Sequence, residues 1–286
     1  MKPPPFDYVR PTTVREAVDL LSSTEREVKV LAGGQSLMPV LNMRMAHPEV
    51  LLDISRLPEL STIEYDDGAL RVGAAVTQSR VATDPAVRAG WPVLAAAIEN
   101  IGHPQLRNRG TVCGSLAHND SAAELPAVAV LLDARLSVTN STGTRTLSAS
   151  DFFLGTFTTA LEPEDLLLGV EFPRPLGRGW SFHEFAQRRG DFASAGVGVV
   201  MSRDGDRVAD VAVVLFGVGG SPVRPTEAEN DLRGGELTAG NAAAVATTAA
   251  AAIEPGDDIH ATGVFRREIV AELLRIALLE AWERAA

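Results

Sequence analysis

The sequence predicts an α+β chain built in two parts, and three observations carry that expectation. Apolar stretches at helical spacing alternate with short β-branched runs along the whole chain. In VLAGGQSLMPVLNMRM, Val30 to Met45, a strand-like run breaks at a glycine pair and hands over to a helical apolar pattern. Periodicity then fails at EFPRPLGRG, Glu171 to Gly179, where prolines and glycines separate a first part, 1–175, from a second, 176–286. A chain of 286 residues is long enough for two such parts, each with its own core.

The elements follow in order. After the proline-rich start, expected to run extended, Thr13 and Glu16 have capping-box spacing, and Val14, Ala17, Val18 and Leu21 share one helical face. Val28 to Leu31 reads as a short strand delivering the glycine loop; a helix follows from Leu37, and Val50 to Ile54 reads as a buried strand. Thr62 to Tyr65 and Ala69 to Val72 flank Asp66-Asp67-Gly68, a hairpin signal. Helices are expected over Val76 to Val81 and Pro92 to Ile101, with Pro92 in the first turn. A second glycine-bearing loop, TVCGSLAHND, spans Thr111 to Asp120 and precedes a helical pattern from Ala122 to Leu132. Leu136 to Val170 reads as short strands with a helix near Phe152. In the second part, Gly196 to Ser202 and Asp210 to Phe216 are apolar strand candidates, and the alanine-rich Ala242 to Ala252 reads as a packed helix. A final amphipathic helix begins at about Val264, with Ile269, Leu273, Ile276, Leu279 and Trp282 at helical spacing.

Composition removes several function classes. Apolar residues make up 45% and charged residues 22%, as in a soluble globular protein. A formal net charge of −11 without any basic run speaks against a nucleic-acid partner. No apolar stretch approaches the ~20 residues that cross a bilayer, and MKPPPFDYVRP lacks the apolar core of a signal peptide. The single cysteine, Cys113, cannot by itself form an intramolecular disulfide, an iron–sulfur cluster or a cysteine-based zinc site. The expected location is cytoplasmic.

The two glycine loops are the candidates for holding an anionic cofactor, because glycine lets backbone amides approach and ring a phosphate. The first loop lacks the lysine of a P-loop and any G-x-G-x-x-G, so its amides and the Ser36 hydroxyl would be the ligands. The second would supply Thr111, Gly114 and Ser115, with Gln105 and Arg107 just upstream. Locally, two unrelated turns remain an equal alternative. GVGGSP, Gly217 to Pro222, reads as a turn, since Pro222 stands where a dinucleotide loop needs its third glycine. The histidines lack ligand spacing, G-x-S-x-G is absent, and Cys113 reads as a small buried residue. Any difficult chemistry would then belong to a bound cofactor. A third cluster, EFAQRRGDFASAG, Glu184 to Gly196, offers Phe192 to stack on a flat ring and Asp191 to accept a hydrogen bond from it.

AGGQS at Ala32–Ser36, IGHPQLRNRGTVCGSLAH at Ile101–His118 and RRGDFA at Arg188–Ala193 occur in the order and separation of one known family. Together they resemble the FAD-binding medium subunit of molybdenum hydroxylases, the group of carbon monoxide dehydrogenase and the flavin part of xanthine dehydrogenase. The resemblance implies a two-lobed FAD-binding domain over 1–175, with lobes of about 1–56 and 57–175, followed by a smaller α+β domain over 176–286. It also implies that Ala32, Gly33, Gly34, Gln35 and Ser36 hold the FAD pyrophosphate from one side and Thr111, Gly114 and Ser115 from the other. Leu37, Ile101 and Gly102 would line the pocket, Glu124 would meet the adenosine half, and Asp191 and Phe192 would lie at the isoalloxazine ring. Cys113 stands where the family has a glycine, which would put a side chain beside the phosphates and strain the backbone if φ there is positive. Ser115 replaces a common Asn, and Phe192 replaces a Tyr near the flavin.

The implied activity is electron transfer. A molybdenum-cofactor large subunit would oxidise the substrate, a small subunit with two [2Fe–2S] clusters would relay electrons, and FAD on this chain would pass them to an acceptor. Two other readings share the fold: a stand-alone FAD-dependent oxidoreductase acting on a small molecule, and a flavin-free binding or assembly protein.

Overall fold

Parallel strand pairing places the first glycine loop. In the computed structural model, which describes residues 2–23, 25–66 and 68–286, the first elements are β1 (Asp7–Val9), α1 (Val14–Ser23), β2 (Val28–Leu31), α2 (Leu37–Asn42) and β3 (Val50–Asp53). Their three strands lie in the order β1-β3-β2, all parallel, so their carboxyl ends emerge together. The cap of α1 is as the spacing predicts on one side only. Thr13 Oγ1 accepts from the Glu16 amide at 3.1 Å, but the Glu16 carboxylate reaches back to the amide and hydroxyl of Thr12. Ala17, Val18 and Leu21 are buried.

The chain continues through β4 (Ile63–Tyr65), β5 (Ala69–Gly73), α3 (Gln78–Thr83), α4 (Pro85–Gly90), α5 (Pro92–Asn100), α6 (Pro104–Arg107), α7 (Val112–His118) and α8 (Glu124–Leu131). It continues through β6 (Arg135–Asn140), β7 (Gly143–Ser148), α9 (Ala149–Phe152), β8 (Phe153–Gly155), β9 (Thr158–Thr159) and β10 (Leu166–Pro173). A five-stranded antiparallel sheet runs β4-β5-β10-β6-β7. In the β4–β5 hairpin Asp66 Oδ1 accepts the amides of Gly68 and Ala69, while Asp67 of the expected turn lies outside the described residues. Three short helices of this stretch went unexpected, α4, α6 and α7, the last covering residues 112–118 of what the sequence reads as a loop. α4 is started by Asp84, which accepts from Ala86 and Val87, and by Pro85 at its first position; α6 likewise opens on a proline, Pro104.

The last part holds β11 (Gly179–Phe185), β12 (Ala195–Asp204), β13 (Arg207–Phe216), α10 (Thr226–Leu232), α11 (Ala239–Ala251) and α12 (Gly263–Arg284). The antiparallel sheet β11-β12-β13 is covered on both faces. Val197, Val199, Met201, Val211 and Val213 face a core shared with α10, α11 and α12. Val200, Ala212, Val214 and Phe216 alternate with them and join the core of the first part. Burial on both faces explains why these strands read as unbroken apolar runs although the sheet is antiparallel. Glycines make the fit possible. A Cβ at Gly198 would stand 2.9 Å from Leu131 of α8, and one at Gly196 would strike the ring of Phe216.

The buried stripe of α12 differs from the expected one. Val270, Leu274, Ala277, Leu278 and Ala281 are buried, whereas Leu273, Ile276, Leu279 and Trp282 are half-buried. The helix packs on both α11 and the sheet, so its covered face is broader and centred elsewhere than a single apolar stripe suggests.

Gly198→Val should therefore overpack the interface between the two parts and destabilise the protein by ~1–3 kcal/mol in urea unfolding. Gly155→Ala, where a Cβ meets nothing within 4 Å, should change stability by less than ~0.5 kcal/mol.

Candidate functional site

The loop after β2 is a cradle of unused donors. Gly34 has φ +73°, and Ser36, two residues on, is right-handed at φ −96°, ψ −44°. Among the described residues, the amides of Gly33, Gly34, Gln35, Ser36 and Leu37 donate to no protein acceptor. The Gln35 side chain folds back to donate to Gly33 O at 3.0 Å. Such a run of free amides suits an anion held by several hydrogen bonds.

The second loop is built against the first. A Cβ at Gly33 would fall on the Arg109 carbonyl oxygen and stand 2.7 Å from Gly110 Cα, so the two backbones touch directly. Gly114 sits where its own Cβ would be 3.7 Å from that of Ala32. Thr111 turns out to be the N-cap of α7, its Oγ1 accepting from the Gly114 amide at 2.9 Å. The Val112 amide donates to Val76 O, which leaves Cys113 N as the free amide of that first turn and the Thr111 hydroxyl proton free to be donated.

Cys113 corrects one expectation. Its side chain is not beside the anion cradle but 98% buried in the core, with Sγ 3.7 Å from Val72 O. The backbone there is helical and φ is not positive, so no strain arises. Burial pushes the thiol up to about 12, which leaves it inert.

The third cluster reaches the second loop through another pair of glycines. Gly190, at φ +88°, lies where a Cβ would be 2.8 Å from Gly102 O, and Gly102 itself has φ +46°. Arg107 Nη1 holds this turn by donating to Ile101 O at 2.8 Å and Gly102 O at 3.1 Å. The turn that carries Gly190 thus packs on Gly102, and Phe192, two residues on, is left 68% exposed.

Two carboxyls, one buried and one half-buried, lie close enough to each other to interact. Glu124, in the first turn of α8, is buried, and its pKa is pushed up to about 8 by burial and then by Glu184 and Asp120. Glu184 on β11 is pushed up to about 7 by burial, and its Oε2 is buried without a partner. Asn119, left-handed at φ 48°, spends its Nδ2 on Gly155 O and Thr158 O and leaves its own Oδ1 buried and unpaired. Unpaired buried acceptors call for donors. With the amide cradle, they fit a ligand that carries both phosphate and hydroxyl or amine groups. Sequence reasoning missed Glu184 and Asn119. Glu184 stood inside the third cluster, but nothing local marks which of its residues turns inward.

Two family models match this chain, one after the other along its length. The family described as "FAD binding domain in molybdopterin dehydrogenase" matches residues 4–175, and the "CO dehydrogenase flavoprotein C-terminal domain" matches 180–281. The chain is 40% identical over 285 residues to the nicotine 6-hydroxylase medium subunit of Paenarthrobacter nicotinovorans, covering 99% of this chain and 100% of that one. It is 35% identical over 287 residues to the carbon monoxide dehydrogenase medium chain of Hydrogenophaga pseudoflava, covering all of both. Among solved structures, carbon monoxide dehydrogenase from Hydrogenophaga pseudoflava superposes with a TM-score of 0.96 at 36% identity, and quinoline 2-oxidoreductase from Pseudomonas putida 86 with 0.96 at 34%, each over the full length of both chains. No helix of the described residues is long and apolar enough to cross a membrane.

The raised carboxyls make stability depend on pH. An unfolded glutamate loses its proton near 4.5, whereas Glu124 in the folded chain keeps it up to about 8. The folded state therefore binds more protons in that window, and stability is fully present below it and lost as pH rises through it. Thermal melts of the flavin-free protein should show Tm falling from about pH 5 to about pH 8, with a clearly flatter profile for Glu124→Gln.

Proposed function

The chain belongs to the family of FAD-binding subunits of molybdopterin dehydrogenases, and from that membership we propose that it is the flavin subunit of a molybdenum hydroxylase, gripping FAD between its two glycine loops. The observation that carries this reading is the run of free amides from Gly33 to Leu37, set directly against the loop that leads into α7. Residues 1–175 are taken as the FAD-binding domain in two lobes and 176–286 as the second domain, a division supported by the gap between β10 and β11.

In this reading Ala32, Gly33, Gly34, Gln35 and Ser36 bind the pyrophosphate through backbone amides and the Ser36 hydroxyl. Thr111 donates its free hydroxyl proton, and Gly114 and Ser115 face the same group from the other lobe. Leu37, Ile101 and Gly102 line the pocket, and Glu124 accepts from hydroxyls of the adenosine half. Asp191 accepts from the flavin ring while Phe192 covers it, excluding water from that side. When bound, FAD supplies redox chemistry that can be filled one electron at a time and emptied in pairs, which suits a place between iron–sulfur clusters and an acceptor. A single, buried cysteine leaves this chain unable to hold such clusters, so they belong to a small partner subunit, and the molybdenum cofactor to a large one. Relatives named medium subunit and medium chain support an assembly of several chains. The cytoplasm is the compartment that fits a chain with no membrane-spanning helix among its described residues.

Purification decides between this and the two other readings. The expected product is yellow, with flavin absorbance bands, and copurifies with a large and a small subunit. Turnover of a small molecule by the isolated chain would instead make it a stand-alone oxidoreductase, and a colourless protein that gains no flavin bands on FAD addition would sink both. Gly33→Ala should drive the first loop off the Arg109–Gly110 backbone and weaken FAD binding by about tenfold or more, ~1.4 kcal/mol, measured by quenching of flavin fluorescence on titration.

A further inference from the structure

A cleft of about 370 Å³ opens outside the carboxyl ends of β1, β3 and β2, where open parallel sheets bind ligands. Three arginines line it, Arg10, Arg56 and Arg109, on a chain whose net charge is −11. Among the described residues one carboxylate lines the cleft with them, Asp53, and both of its oxygens are engaged: Oδ2 by the Tyr8 hydroxyl and Oδ1 by the Ser55 amide at 2.8 Å. Arg10 lies close enough to Asp53 to favour its charged form. The side chains of Arg56 and Arg109 make no hydrogen bond or ion pair among the described residues, so two guanidinium forks in a concave site have no anion of the protein to meet. The Tyr8 ring is 53% exposed at the cleft, and the bond to Asp53 pins its far end, so the ring is held in place.

We propose that this cleft is a second ligand site, for a small nucleoside phosphate, sharing only Ala32 and Thr111 with the residues that grip the cofactor. Guanidinium forks match phosphate oxygens in pairs, and a fixed aromatic ring offers a stacking face to any base. A free anion such as inorganic phosphate would use the arginines but leave the ring unused. Because Ala32 and Thr111 line both this cleft and the cofactor loops, the same phosphate chemistry could be supplied by the cofactor itself, and the test is made on protein already loaded with FAD.

The experiment is calorimetric titration of FAD-loaded protein with AMP at low salt, beside the Arg56→Gln/Arg109→Gln double variant and a titration with inorganic phosphate. Both arginine side chains are exposed and unpartnered, so the double variant should fold, which its Tm verifies. The expected result is saturable binding of AMP with an unchanged flavin spectrum, at least tenfold weaker in the double variant and weaker for phosphate than for AMP. No saturable binding to the loaded protein, or binding undiminished in the double variant, overturns the site. AMP binding only to flavin-free protein assigns the cleft to the cofactor, and phosphate binding as tightly as AMP overturns the nucleotide. A protein that binds AMP through Arg56 and Arg109 yet takes up no FAD overturns the cofactor reading and leaves this one standing.

Discussion

Residue 33 has no side chain, and the space one would fill is occupied by the backbone of Arg109 and Gly110. That contact brings the two loops together with no side chain between them. It keeps the loop after β2 in the conformation that leaves its amides unpaired, since an intervening group would separate the loops and release them to bond elsewhere. The same device recurs where Gly190 meets Gly102. At both joints two backbones come closer than a Cβ allows.

The joints hold because the sheet of the last part is buried on both faces. Alternate residues of β12 and β13 serve two cores, so the second part cannot move relative to the first without exposing Val200, Val214 and Phe216. This fixes β11, and with it Glu184, against α8 and Glu124. Two carboxyls from different parts of the chain then share a dry space, and burial keeps protons on them up to near neutral pH.

Much of this was legible before folding was considered. The strands at Val28–Leu31 and near Val50, the helix from Leu37 and the cap of α1 follow from period and capping chemistry, which act over a few residues. Cys113 shows where motif reasoning stops. Its residue type alone reads as small and buried, as it is; the family resemblance suggested a side chain beside the phosphates, but helical geometry turns it inward toward Val72. Thr111 likewise looked like a ligand and proves to be first a helix cap, with only its hydroxyl proton left over. The α12 stripe was misplaced because a helix wedged between another helix and a sheet buries more than one face.

The sequence by itself determined the identities that matter: which residues lack a Cβ, which loops follow strands, and which family the three motifs belong to. Those are properties of the chain's chemistry and short-range geometry, and they survive without tertiary contacts. Only the tertiary structure decided which of those glycines face one another, that Glu184 and Asn119 are left with unpaired buried oxygens, and that Tyr8, Arg56 and Arg109 share a cleft. These depend on groups far apart in the sequence being pressed together, Asn119 and Gly155 by 36 residues, Tyr8 and Asp53 by 45. Burial, pairing and charge at such meetings are set by packing, which no local pattern encodes.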